Sequence, residues 1–441
     1  MSLIYRRNET KCDFIHFGHR CQVYCKKYPS ITDCYHSDQK LTFNCSESSS
    51  SDNNDIKCTD DKDSSDWITK VILENCERPQ IPKNIFNDYN IDNFNISGLG
   101  IESLDIECKS GHNSSVHFVA AQNQFTELPT KFLRSCNFRI TIEIDFSGNK
   151  ITEINSSDFK TGLHILNLAN NKIIKMLGKL PYTLINLDVS QNNITEIPKF
   201  DRSSTNDCDI KTIDLSFNKI KSVKYGIFGE KLESVNISHN ELIIINSTFV
   251  QQRCMLLHSL DVSYNQIETI ENGAFNNSVH LRFLNLSNNN ISNLNNELFR
   301  KLFDLKSLDL SHNKLTSIEP YAFFIQINLV RLDLAHNNIS KFNGNMFSDL
   351  MGNIEFMSIE HNPVEEVNGL MWSTYSNTVK NQEFKCINLT SKYPIDRMND
   401  DTKFTKINCK PKPEPICSFT WIVFGILGVL FVIFLLFVFS M

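Results

Sequence analysis

Four side chains near the N-terminus, His16, His19, Cys21 and Cys25 in HFGHRCQVYC, stand at spacings that would suit a tetrahedral zinc ion. Zinc needs free thiolates, and six cysteines crowd the first 58 residues: Cys12, Cys21, Cys25, Cys34, Cys45 and Cys58. Crowding of this kind suits an oxidising compartment, where the same sulfurs would be bridged, so a disulfide-stapled cap without metal is expected. No HExxH, GxSxG or GxxxxGKS/T occurs, which argues against a zinc protease, a serine nucleophile and a phosphate cradle. Gly98-Leu99-Gly100 is a lone GxG and reads as a turn. The expectation is a non-enzyme that needs no cofactor. A net charge of −6 gives no electrostatic case for nucleic acid.

Asparagine offers a second chemistry. Thirteen Asn-x-Ser/Thr sequons run from Asn8 to Asn388. Several arise from a repeated sequence unit and carry less weight. Asn8, Asn44, Asn113, Asn155 and Asn388 lie outside that unit and are the expected glycosylation sites, which implies passage through the secretory route.

The elements that must position these groups are repeats. LINLDVSQNNI, LHSLDVSYNQI, LRFLNLSNNNI, LKSLDLSHNKL and LVRLDLAHNNI share apolar residues at positions one, four, six and eleven, with Asn at nine. That Asn recurs at Asn123, Asn149, Asn171, Asn192, Asn218, Asn240, Asn265, Asn289, Asn313, Asn337 and Asn362, with gaps of 21 to 26 residues. Such a period marks a leucine-rich repeat. A second column confirms the register: Phe86, Phe159, Phe228, Phe275, Phe299, Phe323 and Phe347 each fall ten residues after position nine.

The expected fold is an α/β-type leucine-rich-repeat solenoid of about 13 coils, because each coil buries its apolar face only against its neighbours. Positions three to seven alternate and form a short strand of a curved parallel sheet on the concave face. Positions four, six and eleven fill the coil, the ninth Asn bonds turn backbone that no ladder satisfies, and Phe fills an irregular or short-helical convex side.

Four zones follow: a cysteine-rich cap region over 1–75, the repeats over 76–370, a C-terminal cap and stalk over 371–418, and an uncharged stretch over 419–439. That last stretch, at about 1.5 Å per residue, is long enough for one transmembrane helix of roughly 30 Å. In the stalk, Cys386 and Cys409 are the only cysteine pair before Cys417 and are expected to be bridged.

These LxxLDLSxNxI units, the Phe column, the cysteine-rich flanks and the single apolar span resemble the ectodomains of animal leucine-rich-repeat receptors, Toll-like receptors among them. The resemblance implies recognition of a protein or glycan ligand at the plasma membrane or in the endosomal lumen, with dimerisation left open. In two respects the chain departs from that pattern. NPVEEVNGLMW supplies Asn362-Pro363 and Trp372 without the usual Cys-x-Cys pair, and no cytoplasmic signalling domain follows the span.

On the concave face, positions two, three, five, seven and eight should be exposed. Position five is a ladder of Asp145, Asp188, Asp214, Asp261, Asp309 and Asp333, read as groups that satisfy their neighbours rather than a cation site. Position eight supplies His239, His312, His336 and His361, for which pH sensing is the less favoured reading. Phe217, Tyr264, Arg282, Phe283, Arg331 and Phe356 depart most from the repeated unit and are the expected ligand contacts, since aromatics and Arg are the usual interface anchors. An exposed His312 should tolerate Ala with little loss of stability.

Overall fold

The computed structural model describes residues 81, 91, 93–106, 115–135, 140–159, 162–200, 209–223, 231–250, 256–294, 296–319, 321–343 and 354–363. It also gives the backbone of strands at 12–17, 20–25, 31–37, 40–45, 56–59, 70–74, 366–368 and 404–405. A single sheet of 15 strands runs through these residues. It is parallel from Lys40–Cys45 to Phe356–Ser358, and the hairpin that Ile31–Ser37 makes with Lys40–Cys45 adds one antiparallel strand at the N-terminal end.

Most repeat strands are three residues long, and the register matches the sequence columns. Leu284 pairs with Leu308, Leu308 with Leu332, and Leu332 with Met357. In most repeat strands the middle residue is buried while its neighbours reach the face, as in Ser307–Asp309. A one-residue slip would turn every such leucine to water, so the period-two pattern holds each strand in place.

Inside the coils, Leu308, Leu310 and Leu315 at positions four, six and eleven are fully buried, as are their counterparts Leu284, Leu286 and Ile291. The Phe column closes the other side. Phe159, Phe275, Phe299 and Phe323 are buried, and Phe299 and Phe323 stack with ring centroids 6.0 Å apart. Phe86, Phe228 and Phe347 lie outside the described residues.

Among the described residues, regular helix is scarce on the convex side: a six-residue helix at Thr130–Ser135 and a 3-10 turn at Ser156–Asp158. Between sheet and convex side, short two-stranded ribbons repeat, such as Glu153–Asn155 with Lys175–Leu177 and Ile244–Ile245 with Thr269–Ile270.

The parallel solenoid and the short-helical convex side agree with expectation. The count of about 13 coils and the 419–439 span extend beyond the described residues, among which no helix is long and apolar enough to cross a membrane. Also outside are Cys386, Cys409, Asn8, Asn113 and Asn388, and the side chains of Asn44, His16, His19, Cys21 and Cys25.

Candidate functional site

The concave face is held by two polar ladders, and these decide what remains free to bind. The first is the asparagine column. From Asn123 to Asn362 every member is buried. Asn313 is typical: its Nδ2 donates to the carbonyls of Leu286 at 2.9 Å, Leu310 at 3.1 Å and Ser311 at 3.2 Å. Its Oδ1 accepts the Ile291 N–H at 3.0 Å. Leu286 and Ile291 belong to the preceding coil, so each asparagine staples two coils together.

The second ladder is position five. Oδ1 of Asp145, Asn167, Asp188, Asp214, Asn236, Asp261, Asn285, Asp309 and Asp333 each accepts the N–H two residues on. This is an Asx turn, which ends each strand. Between coils, Asn236 Nδ2 reaches Asp214 Oδ2 at 3.0 Å and Asn285 Nδ2 reaches Asp261 Oδ2 at 3.1 Å. The acidic row is therefore internal scaffolding. Asp333 shows this electrostatically: partial removal from water raises its pKa, against the lowering effect of the Ala335 N–H.

Position seven corrects the expectation. Ser216, Ser238, Ser263, Ser287 and Ser311 are buried rather than exposed. The turn tucks them under the sheet edge, and the hydroxyls of Ser216 and Ser311 bond Asp214 and Asp309 at 2.6 Å. The usable surface consists of positions two, three and eight.

Position eight holds a feature that the sequence reading missed. Gln122, Asn170, Gln191, Phe217, His239, Tyr264, Asn288, His312, His336 and His361 all have φ between 52° and 56°. Gly98 and Gly148 occupy the same position at 72° and 67°. The chain turns left-handed here in each of these described coils, which Gly, Asn and His tolerate better than large aromatics do. The signal was present in the run of Gly, Asn, Gln and His at this column.

Coil spacing then stacks the rings. Phe217 lies on His239 at 3.9 Å between centroids, and His239 lies on Tyr264 at 4.1 Å. Past Asn288, His312, His336 and His361 stack at 4.0 and 4.1 Å. The His336 pKa is lowered, first by partial desolvation, then by the like imidazoles His312 and His361, while Glu360 and Asp333 oppose the shift.

The six expected contact residues fall into three groups. Phe217 and Tyr264, each 51% exposed, flank His239 on its two faces. Phe283 is 52% exposed on its strand beside the exposed Arg282, and no ion pair engages Arg282 among the described residues. The guanidinium of Arg331 sits 3.8 Å over the Phe356 ring and bonds Asp333 Oδ2 at 3.2 Å, so this pair is largely satisfied within the chain. Several coils toward the N-terminus, Lys211 and Glu233 pair at 2.9 Å. Tyr264, Arg282 and Phe283 are all exposed, Tyr264 on the turn after the Ser259–Asp261 strand and Arg282 and Phe283 at the start of the strand paired with it.

Residues 256–315 and 303–364 match the leucine rich repeat family model. Human oligodendrocyte-myelin glycoprotein is 29% identical over 168 residues, 37% of this chain and 36% of that protein. Tsukushi-A of Xenopus laevis is 32% identical over 179 residues, 37% of this chain and 48% of that protein. The chain thus spans less than half the length of these curated relatives. A solved leucine-rich-repeat protein of Leptospira interrogans, 20% identical, superposes with a TM-score of 0.54 over 72% of this chain and 78% of its own. Stacked coils, an asparagine staple and these matches make the described residues a leucine-rich-repeat solenoid.

Proposed function

We propose that this chain is a membrane-anchored, extracellular recognition protein, a receptor, co-receptor or decoy of about 13 repeats, that binds a protein partner on its concave face. The observation that carries this reading is the exposure of Tyr264, Arg282 and Phe283 on two adjacent coils whose strands each end in a side-chain-bonded turn. A rigid surface loses little entropy on binding. The zones 1–75, 76–370, 371–418 and 419–439, the Cys386–Cys409 bridge and a Toll-like role in innate immune or developmental signalling belong to this proposal. The sequons of this chain, and the glycoprotein among the relatives, support the extracellular side.

The test is a screen of the secreted chain against purified extracellular proteins, followed by Tyr264→Asn combined with Phe283→Ala. Asn keeps the left-handed turn that Ala would strain. Affinity for a partner found this way should fall more than tenfold while the melting temperature holds. Binding that survives these changes but fails on altering 1–75 moves the contact to the N-terminal cap. Adhesion through the same face is the second reading. A cytosolic, tail-anchored scaffold, favoured by Lys403, Lys406, Lys410 and Lys412 before the span, predicts free thiols at Cys12 to Cys58 and no mass lost on deglycosylation.

A further inference from the structure

We propose that Asn246 carries an N-linked glycan and that Asn236 and Asn285 stay bare, an assignment that rests on the extracellular reading above. All three are sequons, as NST, NIS and NLS. Their amides have opposite fates in the fold.

Asn246 follows the outer ribbon strand Ile244–Ile245, ten residues further round the coil than Asn236. Its Oδ1 accepts both the N–H of Thr248 at 3.1 Å and the Thr248 hydroxyl at 2.9 Å. The Ser247 N–H is held by Glu271 Oε2 at 2.9 Å, and the Asn246 carbonyl accepts the Phe249 N–H at 3.0 Å. The whole sequon is an ordered turn with Ser247 and Thr248 exposed. No described acceptor meets Asn246 Nδ2, so both its hydrogens face a substituent without loss of a protein bond. Asn155 occupies the equivalent place in its own coil, with Oδ1 on the Ser157 N–H at 3.1 Å.

Asn236 and Asn285 are the reverse case. Each is half-buried in the middle of the sheet, with Oδ1 on a backbone N–H and Nδ2 on the carboxylate of the coil before it. A sugar on that nitrogen would crowd the bond to Asp214 or Asp261 and cover Phe217, Tyr264 and Phe283.

The modification is a group transfer from an oligosaccharide diphosphate carried on a polyisoprenoid lipid. Nδ2 bonds the anomeric carbon as its C–O bond to diphosphate breaks. The diphosphate leaves with the electron pair, and one amide hydrogen leaves as a proton. Sugar at Asn246 clothes the outer flank and leaves the sheet face open to a protein.

The experiment is secretion of the full chain from a eukaryotic cell, enzymatic glycan release in heavy-oxygen water, and peptide mapping, which converts each occupied Asn to labelled Asp. Label at Asn246 with none at Asn236 or Asn285 is the expected result. The Thr248→Ala chain should lose the label at Asn246 alone and run smaller by one glycan. Label at other sequons with none at Asn246, or label at Asn236 or Asn285, overturns the assignment while the extracellular reading stands. Label at no sequon overturns both.

Discussion

At position eight, a side chain is chosen for the backbone beneath it as much as for what it touches. His312 has φ 54° and stacks on His336 at 4.0 Å. Exposure of the ring says nothing about the turn under it, so substitutions at His312 also test the backbone. Ala at a positive φ is disfavoured where Gly is not, so His312→Ala should be less stable than His312→Gly by roughly 1 kcal/mol in chemical denaturation. Equal midpoints for the two variants would mean that the turn relaxes freely. The neighbouring Asn313 is a different case. Removing its amide orphans the buried Ile291 N–H, whereas the Leu286 and Leu310 carbonyls keep a second donor in Asn289 and Asn337. Asn313→Ala should thus cost about 1–3 kcal/mol, the loss expected for one unsatisfied buried group. A melt superimposable on the parent would show that water replaces the amide.

Strand, turn and, in some coils, a ring stack differ in how plainly the sequence announces them. Leu308 and Leu310 announce a strand through alternation, and Phe299 and Phe323 announce a packed convex side through their fixed offset. Both follow from burial, which selects residue type strongly. The left-handed turn selects only weakly among Gly, Asn, Gln and His, so the stacking of Phe217 and Tyr264 on His239 is not legible in the sequence. Pairs such as Arg331 over Phe356 depend on which strands sit side by side, which no single repeat can reveal. The histidine stack has an energetic consequence that its spacing alone does not give. His336 in the fold has a pKa below its ordinary 6.5, so the unfolded chain binds that proton more readily. Stability contributed by neutral His336 is present above 6.5 and is lost as pH falls through 6.5 toward the lowered value. Melting temperature measured from pH 7.5 to 5 should drop less in His336→Gln than in the parent. Parallel curves would show that the stack does not govern acid sensitivity. At the convex side, Phe323→Ala should cost about 3–5 kcal/mol, the usual loss for a fully buried aromatic.

A solenoid of this kind has one core drawn out along its length, and each coil packs only on its neighbours. The asparagine column makes that packing specific. The Leu310 carbonyl accepts Nδ2 of Asn313 from its own coil at 3.1 Å and Nδ2 of Asn337 from the next coil at 2.9 Å. The same two-donor arrangement recurs at Leu286, which serves Asn289 and Asn313. Either asparagine alone keeps the carbonyl satisfied, so a single substitution hides part of its cost. Removing both leaves Leu310 O buried with no side-chain donor. The double variant Asn313→Ala/Asn337→Ala should therefore lose about 1–3 kcal/mol more than the sum of the two single losses, the penalty for one further orphaned group. Asn149 and Asn337 share no carbonyl, since Asn149 Nδ2 reaches Ala120 and Phe146. Their double variant should be additive within roughly 0.5 kcal/mol, as separated sites usually are. Denaturant titrations of these two cycles compare the same residue types at the same buried position and differ only in adjacency. Coupling of equal size in both cycles would mean that the coils act as one cooperative body rather than a chain of stapled neighbours.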